Sequence, residues 1–207
     1  MISWAAFTKL ADSNFTMPVA ALLAIWLAGA RAWKPFFLWC FLFGSGIVLV
    51  VATKIAYIGW GAGIAAIDFT GISGHAMRAT AIAPALMAIL LQKQTRQIQQ
   101  LGLLAGLVFG IAIGISRLAI HVHSVAEVVS GCLLGAVVGA GFAWLIRNRP
   151  VFFDRKLLVI GVLALLPVLT LKPAPTESWM ESVAYYLSGK ERPAQTTNLE
   201  SVTTEYR

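Results

Sequence analysis

Apolar residues in this chain come in long runs, and polar residues gather in the short stretches between them. A helix needs about 20 residues to cross the hydrocarbon core of a bilayer. Six runs approach that length, at 17–31, 35–56, 72–92, 100–117, 121–146 and 156–172. The pattern predicts an all-α fold, a polytopic membrane bundle of six transmembrane helices.

The segments that flank these runs are more polar. Residues 1–16 are predicted to form an interfacial amphipathic segment, followed by a transmembrane domain over 17–172. In 173–207, apolar residues such as Trp179 and Val183 stand four apart, and the last residues are polar. This part is predicted to form an amphipathic surface helix and a disordered tail.

Composition supports a membrane protein and excludes a nucleic-acid partner. Hydrophobic residues make up 58% of the chain and charged residues only 12%, whereas a soluble domain carries about a quarter charged residues. The net charge of +7 comes from short clusters of Lys and Arg between apolar runs, without a continuous basic face. The partner that these features indicate is the lipid bilayer.

The basic clusters also predict the orientation. They follow the first, third and fifth runs, so alternation puts them all on one side of the membrane, which the positive-inside rule makes cytoplasmic. Both termini then face the non-cytoplasmic side. The expected location is the cell inner (plasma) membrane. The basic residues concerned are Arg31, Lys34, Lys93, Arg96, Arg147, Arg149, Arg155 and Lys156.

Glycines recur every four residues in the fourth and fifth runs. Such ladders let helix backbones approach closely. They indicate either tight packing within one bundle or a homodimer seam. The glycines are Gly102, Gly106, Gly110 and Gly114, then Gly131, Gly135 and Gly139.

Ionisable residues near the outer ends of the runs are functional-site candidates, because charges inside a membrane are costly. Ser73, Gly74 and His75 open the third run, where a hydroxyl and free backbone N–H groups would bind an anion. Lys54 and Arg117 end the second and fourth runs and add two cations. Together these residues predict a phosphate-binding site.

Two further residues predict a nucleophile for that phosphate. His123 and Glu127 stand four apart and would share one face of a helix. A carboxylate on one ring nitrogen makes the other a better nucleophile, and His75 would protonate the leaving oxygen. A zinc site using His121 is the weaker alternative, since two cations point at the same place. We therefore expect no metal and no cofactor.

The order of these groups resembles the three signatures of the type 2 phosphatidic acid phosphatase family. Ser116-Arg117, His123 and Glu127 match the spacing of its third signature, Ser73-Gly74-His75 resembles the second, and Lys54 the start of the first. The resemblance covers about residues 35–146. It implies a helical bundle in which His123 forms a phosphohistidine, Glu127 orients it and His75 is the general acid.

The chain departs from the family pattern in each signature. Gly61 and Ala62 stand where the first signature has Arg-Pro, Ile72 replaces the proline of the second, and Glu127 replaces the usual aspartate of the third. The first departure removes one phosphate-binding cation. Arg78, three residues after His75 on the same helix, is predicted to replace part of it, with a structural bridge as the alternative.

The resemblance implies hydrolysis of a lipid phosphate or diphosphate on the outer face of the membrane. Undecaprenyl diphosphate is the expected substrate, because small outward-facing members of the family commonly recycle it. Two alternatives stay open. One is a phosphotransferase that passes the phosphoryl group to a lipid acceptor, and the other is a non-catalytic lipid-binding or transport protein.

Overall fold

The computed structural model describes residues 4, 8, 11–149, 151 and 176–190. Within them the chain forms six α-helices: α1 (Ser13–Gly29), α2 (Trp33–Trp60), α3 (Gly74–Leu90), α4 (Arg96–Ala119), α5 (Val125–Ile146) and α6 (Thr176–Ser188). A 3-10 turn at Ala65–Ile67 lies between α2 and α3. The described residues contain no β-strand, only an isolated bridge between Ile64 and Phe69. The predicted all-α class is confirmed for this part of the chain.

Three helices, α2, α4 and α5, are long and apolar enough to cross a membrane. Helices α1 and α3 are apolar but have 17 residues each, which span about 25 Å at 1.5 Å per residue. Five of the six predicted runs therefore form helices. The sixth, 156–172, lies outside the described residues, and the number of spans and the side of the termini stay predictions.

The outer faces of the helices carry large apolar side chains. Phe41 on α2 is 70% exposed and Val137 on α5 is 68% exposed. A surface of this kind is unfavourable in water and suits contact with lipid. The chain is therefore a membrane protein.

Helix α1 begins at Ser13, four residues before the predicted start. The carbonyl of Asp12 accepts hydrogen bonds from the N–H groups of Phe15 and Thr16, which starts the helix there. Pro18 consequently lies inside α1, whereas Pro35 lies in the first turn of α2.

Helix α5 begins at Val125 and not at 121, because Ser124 caps it. The Ser124 hydroxyl accepts the N–H of Glu127, and the Glu127 carboxylate accepts the N–H of Ser124. This reciprocal capping box is a strong start signal. His121 has a left-handed backbone, with φ at 57°, and His123 lies in the turn. The prediction that both belong to the helix was wrong.

Helix α3 is the most enclosed helix, and it packs against α4 and α5 through their glycines. A Cβ on Gly106 would stand 2.7 Å from the nitrogen of Pro84, and one on Gly139 would stand 2.5 Å from the carbonyl of Ala81. No larger residue fits at these crossings. Packing within the chain thus accounts for both ladders, and a homodimer is not needed to explain them.

Candidate active site

The predicted site residues come together at one end of the helix bundle. Lys54 from α2, Gly74, His75 and Arg78 from α3, and His123 from the α4–α5 turn line one cavity of about 410 Å³. The other predicted residues lie beside these lining residues: Ser73, Arg117 and Glu127. All eight therefore fall within one region, although they come from four different helices or the turns next to them.

His123 is held by the carboxylate of Glu127. Its Nδ1 atom lies 2.6 Å from Oε2 of Glu127. Because an ionised carboxylate only accepts hydrogen bonds, Nδ1 carries the hydrogen and Nε2 presents its lone pair. The start of α5 positions both side chains, because Glu127 is the third residue of the helix and His123 lies directly before the capping residue Ser124. The predicted pair exists, but its geometry comes from the capping box.

Glu127 is itself fixed by the loop that precedes α3. Both the N–H and the hydroxyl of Thr70 donate to Oε1 of Glu127, the N–H at 3.0 Å. The carboxylate is only 4% exposed. It therefore accepts four hydrogen bonds, from His123, from the Ser124 N–H and two from Thr70. Sequence reasoning missed Thr70, which lies 57 residues away in the chain.

The environment of His123 keeps its imidazole neutral. Burial lowers the pKa of His123 below its usual value, and the nearby Lys54 charge lowers it further, while the hydrogen bond to Glu127 opposes the shift. A neutral imidazole with a free Nε2 lone pair is the form that attacks an electrophile. Near neutral pH the turn thus presents the form of the ring that the predicted nucleophile requires.

The start of α3 is joined to the start of α5. Ser73 is the residue that precedes the first helical residue, Gly74, and its N–H donates to the carbonyl of Glu127 at 3.1 Å. Its hydroxyl is buried and has no hydrogen-bond partner among the described residues. A Cβ on Gly131 would stand 2.6 Å from the Ser73 carbonyl. The start of α3, where an anion site is predicted, is thereby held next to the start of α5.

Three cations surround this helix start. Lys54 lines the cavity, and its charge is near enough to His123 to lower the pKa of that ring. Arg78 also lines the cavity, and its Nε and Nη2 atoms donate to Thr16 Oγ1 at 2.8 Å and to the Ala11 carbonyl at 3.3 Å. Arg78 therefore has structural contacts with the N-terminal segment as well as a position in the cavity wall.

Arg117, near the end of α4, also contacts the N-terminal segment. Its Nη1 atom lies 3.4 Å from the hydroxyl of Thr8. The positions where the family carries Arg-Pro, Gly61 and Ala62, are exposed beyond the end of α2, and Gly61 has a φ of 71°. Arg117 and Arg78 are thus the guanidinium groups near the site in the described residues.

The N-terminal segment supplies a carboxylate that sequence reasoning missed. Oδ1 of Asp12 lies 3.1 Å from Nε2 of His75. This hydrogen bond is the main reason why the pKa of Asp12 is lowered. The only signal in the sequence is the polar run Asp12-Ser13-Asn14 before an apolar stretch, which predicts a helix start and not a partner for His75.

The rest of the cavity wall is apolar. Ile47, Val50 and Val51 of α2 face it on one side. Trp179 and Val183 of α6 also line it. They belong to the region in which an amphipathic helix was predicted. Charged groups at one end and hydrocarbon along the wall suit a ligand that has a phosphate head and an apolar tail.

The described residues contain no group of three or more His, Cys, Asp or Glu side chains arranged to hold a metal ion. His121 is exposed, and its Nδ1 atom lies 3.0 Å from the Leu118 carbonyl. It does not join His123 and Glu127. Asp68, in the loop between α2 and α3, is exposed.

Comparison with known proteins agrees with this site. Residues 62–151 match the PAP2 superfamily, whose members are generally phosphatases. An uncharacterized 22.5 kDa protein in the cps region of Klebsiella pneumoniae is 32% identical over 208 residues, which cover 96% of this chain and 98% of that protein. No solved structure matches the chain. With the paired His123 and Glu127 inside the matched region, the chain belongs to the PAP2 superfamily.

Proposed function

We propose that this protein hydrolyses a lipid phosphate or diphosphate through a phosphohistidine on His123. The observation that carries the proposal is the cavity whose lining combines His123, His75, Lys54 and Arg78 with apolar side chains of α2 and α6. The Glu127 contact, 2.6 Å from the ring, supports the same role because it leaves Nε2 of His123 free.

In the first step Nε2 of His123 attacks phosphorus, and the bond between phosphorus and the leaving oxygen breaks. His75 gives its proton to that oxygen. Lys54, Arg117, Arg78 and the N–H groups at the start of α3 stabilise the negative charge on the other phosphate oxygens. The ring of His123 becomes positively charged, and Glu127 stabilises that charge.

In the second step water attacks the phosphohistidine. His75, now neutral, takes a proton from the water, the phosphorus–nitrogen bond breaks, and phosphate leaves. His123 returns to its neutral form with Nδ1 still donating to Glu127. Each proton that is released in one step is used in the other, so the cycle closes without a cofactor.

The substrate that we propose is undecaprenyl diphosphate in the outer leaflet, as the resemblance implies. The apolar wall formed by α2 and α6 supports a long hydrocarbon tail in general, and phosphatidylglycerol phosphate, phosphatidic acid or lipid A phosphates fit the same chemistry. The site is proposed to face the periplasm or the outside, opposite the basic loops.

Phosphate release from a panel of these lipids, measured with purified protein in detergent, tests the function. Release from one lipid supports the phosphatase. Transfer to a lipid acceptor without release would support the phosphotransferase, and binding without either would support the non-catalytic protein. His123→Ala serves as the inactive control in each assay.

A further inference from the structure

The N-terminal segment takes part in the site, although it precedes the region matched to the family. Residues Ala11–Thr16, called the N-terminal strap below, contact both charged residues of α3 that line the cavity. Asp12 binds His75, while Ala11 and Thr16 bind Arg78. Ala11 is fully buried. The strap is therefore packed into the protein.

Within the strap, the position of Asp12 is fixed on both sides. The Arg78 guanidinium holds the residue before it and a residue one turn after it. The Asp12 carbonyl also accepts the first hydrogen bonds of α1, from Phe15 and Thr16. The carboxylate is thus presented by a rigid backbone and is not a mobile surface charge.

The Asp12 carboxylate does not perform the usual task of an acidic residue at a helix start. A side chain in this position normally accepts an N–H of its own helix, but Asp12 makes no such bond. It is turned towards Nε2 of His75 instead. The Asp12 carboxylate therefore contacts a predicted catalytic residue and does not cap α1.

We propose that Asp12 is the positioning residue of the general acid His75. This inference rests on the proposed function. Asp12 accepts the hydrogen of Nε2, which fixes the ring so that Nδ1 delivers a proton to the leaving oxygen and later accepts one from water. The site then contains two histidine–carboxylate pairs, His123 with Glu127 and His75 with Asp12.

A carboxylate is needed at this place because the surroundings of His75 oppose a positive charge on its ring. Burial of the ring and, after it, two guanidinium groups on Arg78 and Arg117 disfavour the charge that a general acid carries before it gives up its proton. The Asp12 charge opposes both of them and stands in hydrogen-bonding contact with the ring. It therefore favours the protonated ring that the first step requires.

A different role for Asp12 is an inhibitory one, in which its carboxylate occupies the place of the substrate phosphate. The cavity favours the positioning role. Its lining includes His75 and Arg78, and from the strap side Ser13 and Met17, but not Asp12. Asp12 therefore contacts His75 without lining the cavity itself.

The test compares two substrates that differ in their leaving group. Purified full-length Asp12→Asn protein is assayed in detergent with an alkyl lipid phosphate, whose leaving oxygen needs a proton, and with a nitrophenyl phosphate ester, whose leaving group does not. The quantity compared is kcat/KM, which covers the steps up to release of the leaving group and not the later water attack. We expect kcat/KM for the alkyl phosphate to fall by about ten- to a hundredfold. For the nitrophenyl ester kcat/KM should change by less than about threefold, since general acid catalysis contributes little to departure of its leaving group.

Two matched variants accompany this test. Asp12→Glu should restore most of the alkyl phosphate activity, because it keeps the carboxylate. Asp68→Asn changes an exposed carboxylate in the loop before α3 and should leave both substrates unaffected. Thermal unfolding of each variant shows whether the fold has changed.

Several outcomes would overturn the inference. An equal loss of kcat/KM on both substrates means that Asp12 has only a structural role, and a gain in activity or a lower KM means that it is inhibitory. If the wild type is active and Asp12→Asn is unaffected, the inference about Asp12 is wrong but the proposed function stands. A wild type that releases phosphate from neither substrate contradicts the proposed function, and this inference with it.

Discussion

Nδ1 of His123 and Oε2 of Glu127 are 2.6 Å apart, even though His123 lies outside the helix on which Glu127 stands. The distance results from the capping box at the start of α5, in which the same carboxylate also accepts the N–H of Ser124. Two bonds from Thr70 hold the other carboxylate oxygen. The orientation of the His123 ring and the capping of α5 therefore depend on one side chain.

Replacing Glu127 should accordingly lower both activity and stability, with the larger effect on activity. Glu127→Gln keeps the shape but presents an amide, which no longer fixes the His123 tautomer or stabilises its charge. We expect kcat to fall by at least about a hundredfold. Steady-state kinetics on the preferred lipid check this, with Glu181→Gln on α6 as the control. A loss of less than about tenfold would argue that Glu127 serves only as a cap.

Glu127→Asp introduces the aspartate that the family usually carries at this position, and so tests whether the longer side chain is required. The shorter side chain retracts the carboxylate by one methylene and cannot keep both the Thr70 and the His123 contacts. The same kinetics should give an activity between wild type and Glu127→Gln. Full activity would mean that the extra methylene is not required.

The pH profile should report the neutral form of His123. Because its pKa is lowered by burial and by Lys54, activity should be retained as the pH falls to about 6.5 and be lost only below it, as the ring becomes protonated. Removing the nearby charge with Lys54→Gln should move this acid limb to higher pH. Plots of kcat/KM against pH for both proteins provide the measurement. An acid limb in the wild type above pH 7, or one that moves to lower pH in the variant, would contradict the account.

Arg78 should combine a catalytic and a structural role, and two variants separate them. Arg78→Ala removes a donor to the phosphate and should reduce kcat by about a hundred- to a thousandfold. Thr16→Val removes the acceptor of Arg78 Nε but keeps the cation. It should cost about 1 kcal/mol of unfolding free energy with little change in kcat.

Arg78→Lys serves as a third member of this series and should recover only part of the activity, because a point charge lacks the planar fork. Kinetics and thermal unfolding are measured on all three variants. If Arg78→Ala turns over at nearly the wild-type rate, Arg78 does not replace the missing arginine.

The orientation in the membrane can be tested with single cysteines in a variant that lacks Cys40 and Cys132. Ala62→Cys lies in the exposed α2–α3 loop at the site end, and Gln94→Cys lies in the exposed α3–α4 loop. An impermeant thiol reagent added to intact cells should label the first and not the second. The opposite pattern would place the site in the cytoplasm and exclude outer-leaflet substrates.

The helices, and the site residues that lie together, could be predicted from the sequence where a local pattern determines them. Apolar runs are long, so their helices were recognised, and the motif residues stand at ends of runs that alternate in direction. The predicted start of α5 was too early because Val122 extends the apolar run towards the N-terminus. Ser124 caps the helix, so Val125 is its first residue.

The contacts that could not be predicted join distant parts of the chain. Asp12 and His75 are 63 positions apart, and Thr70 and Glu127 are 57 apart. Neither partner belongs to a periodic pattern or to a signature. Such pairs depend on how α1 and the α2–α3 loop pack against α3 and α5, which local spacing does not determine.

The central claim is that His123 becomes covalently phosphorylated. A lipid substrate with a radiolabelled phosphate is mixed with purified protein, the reaction is stopped with alkali, and the labelled peptide is mapped. The account predicts an acid-labile label on His123 that is absent from His123→Ala. The label should be more abundant in His75→Ala with a nitrophenyl ester, because water attack is slowed. His123→Ala should keep no more than a few per cent of the wild-type turnover, which is a loss of about 2 kcal/mol or more of transition-state stabilisation. Phosphate release by wild type with no label on His123, or by His123→Ala at a rate close to wild type, would contradict it.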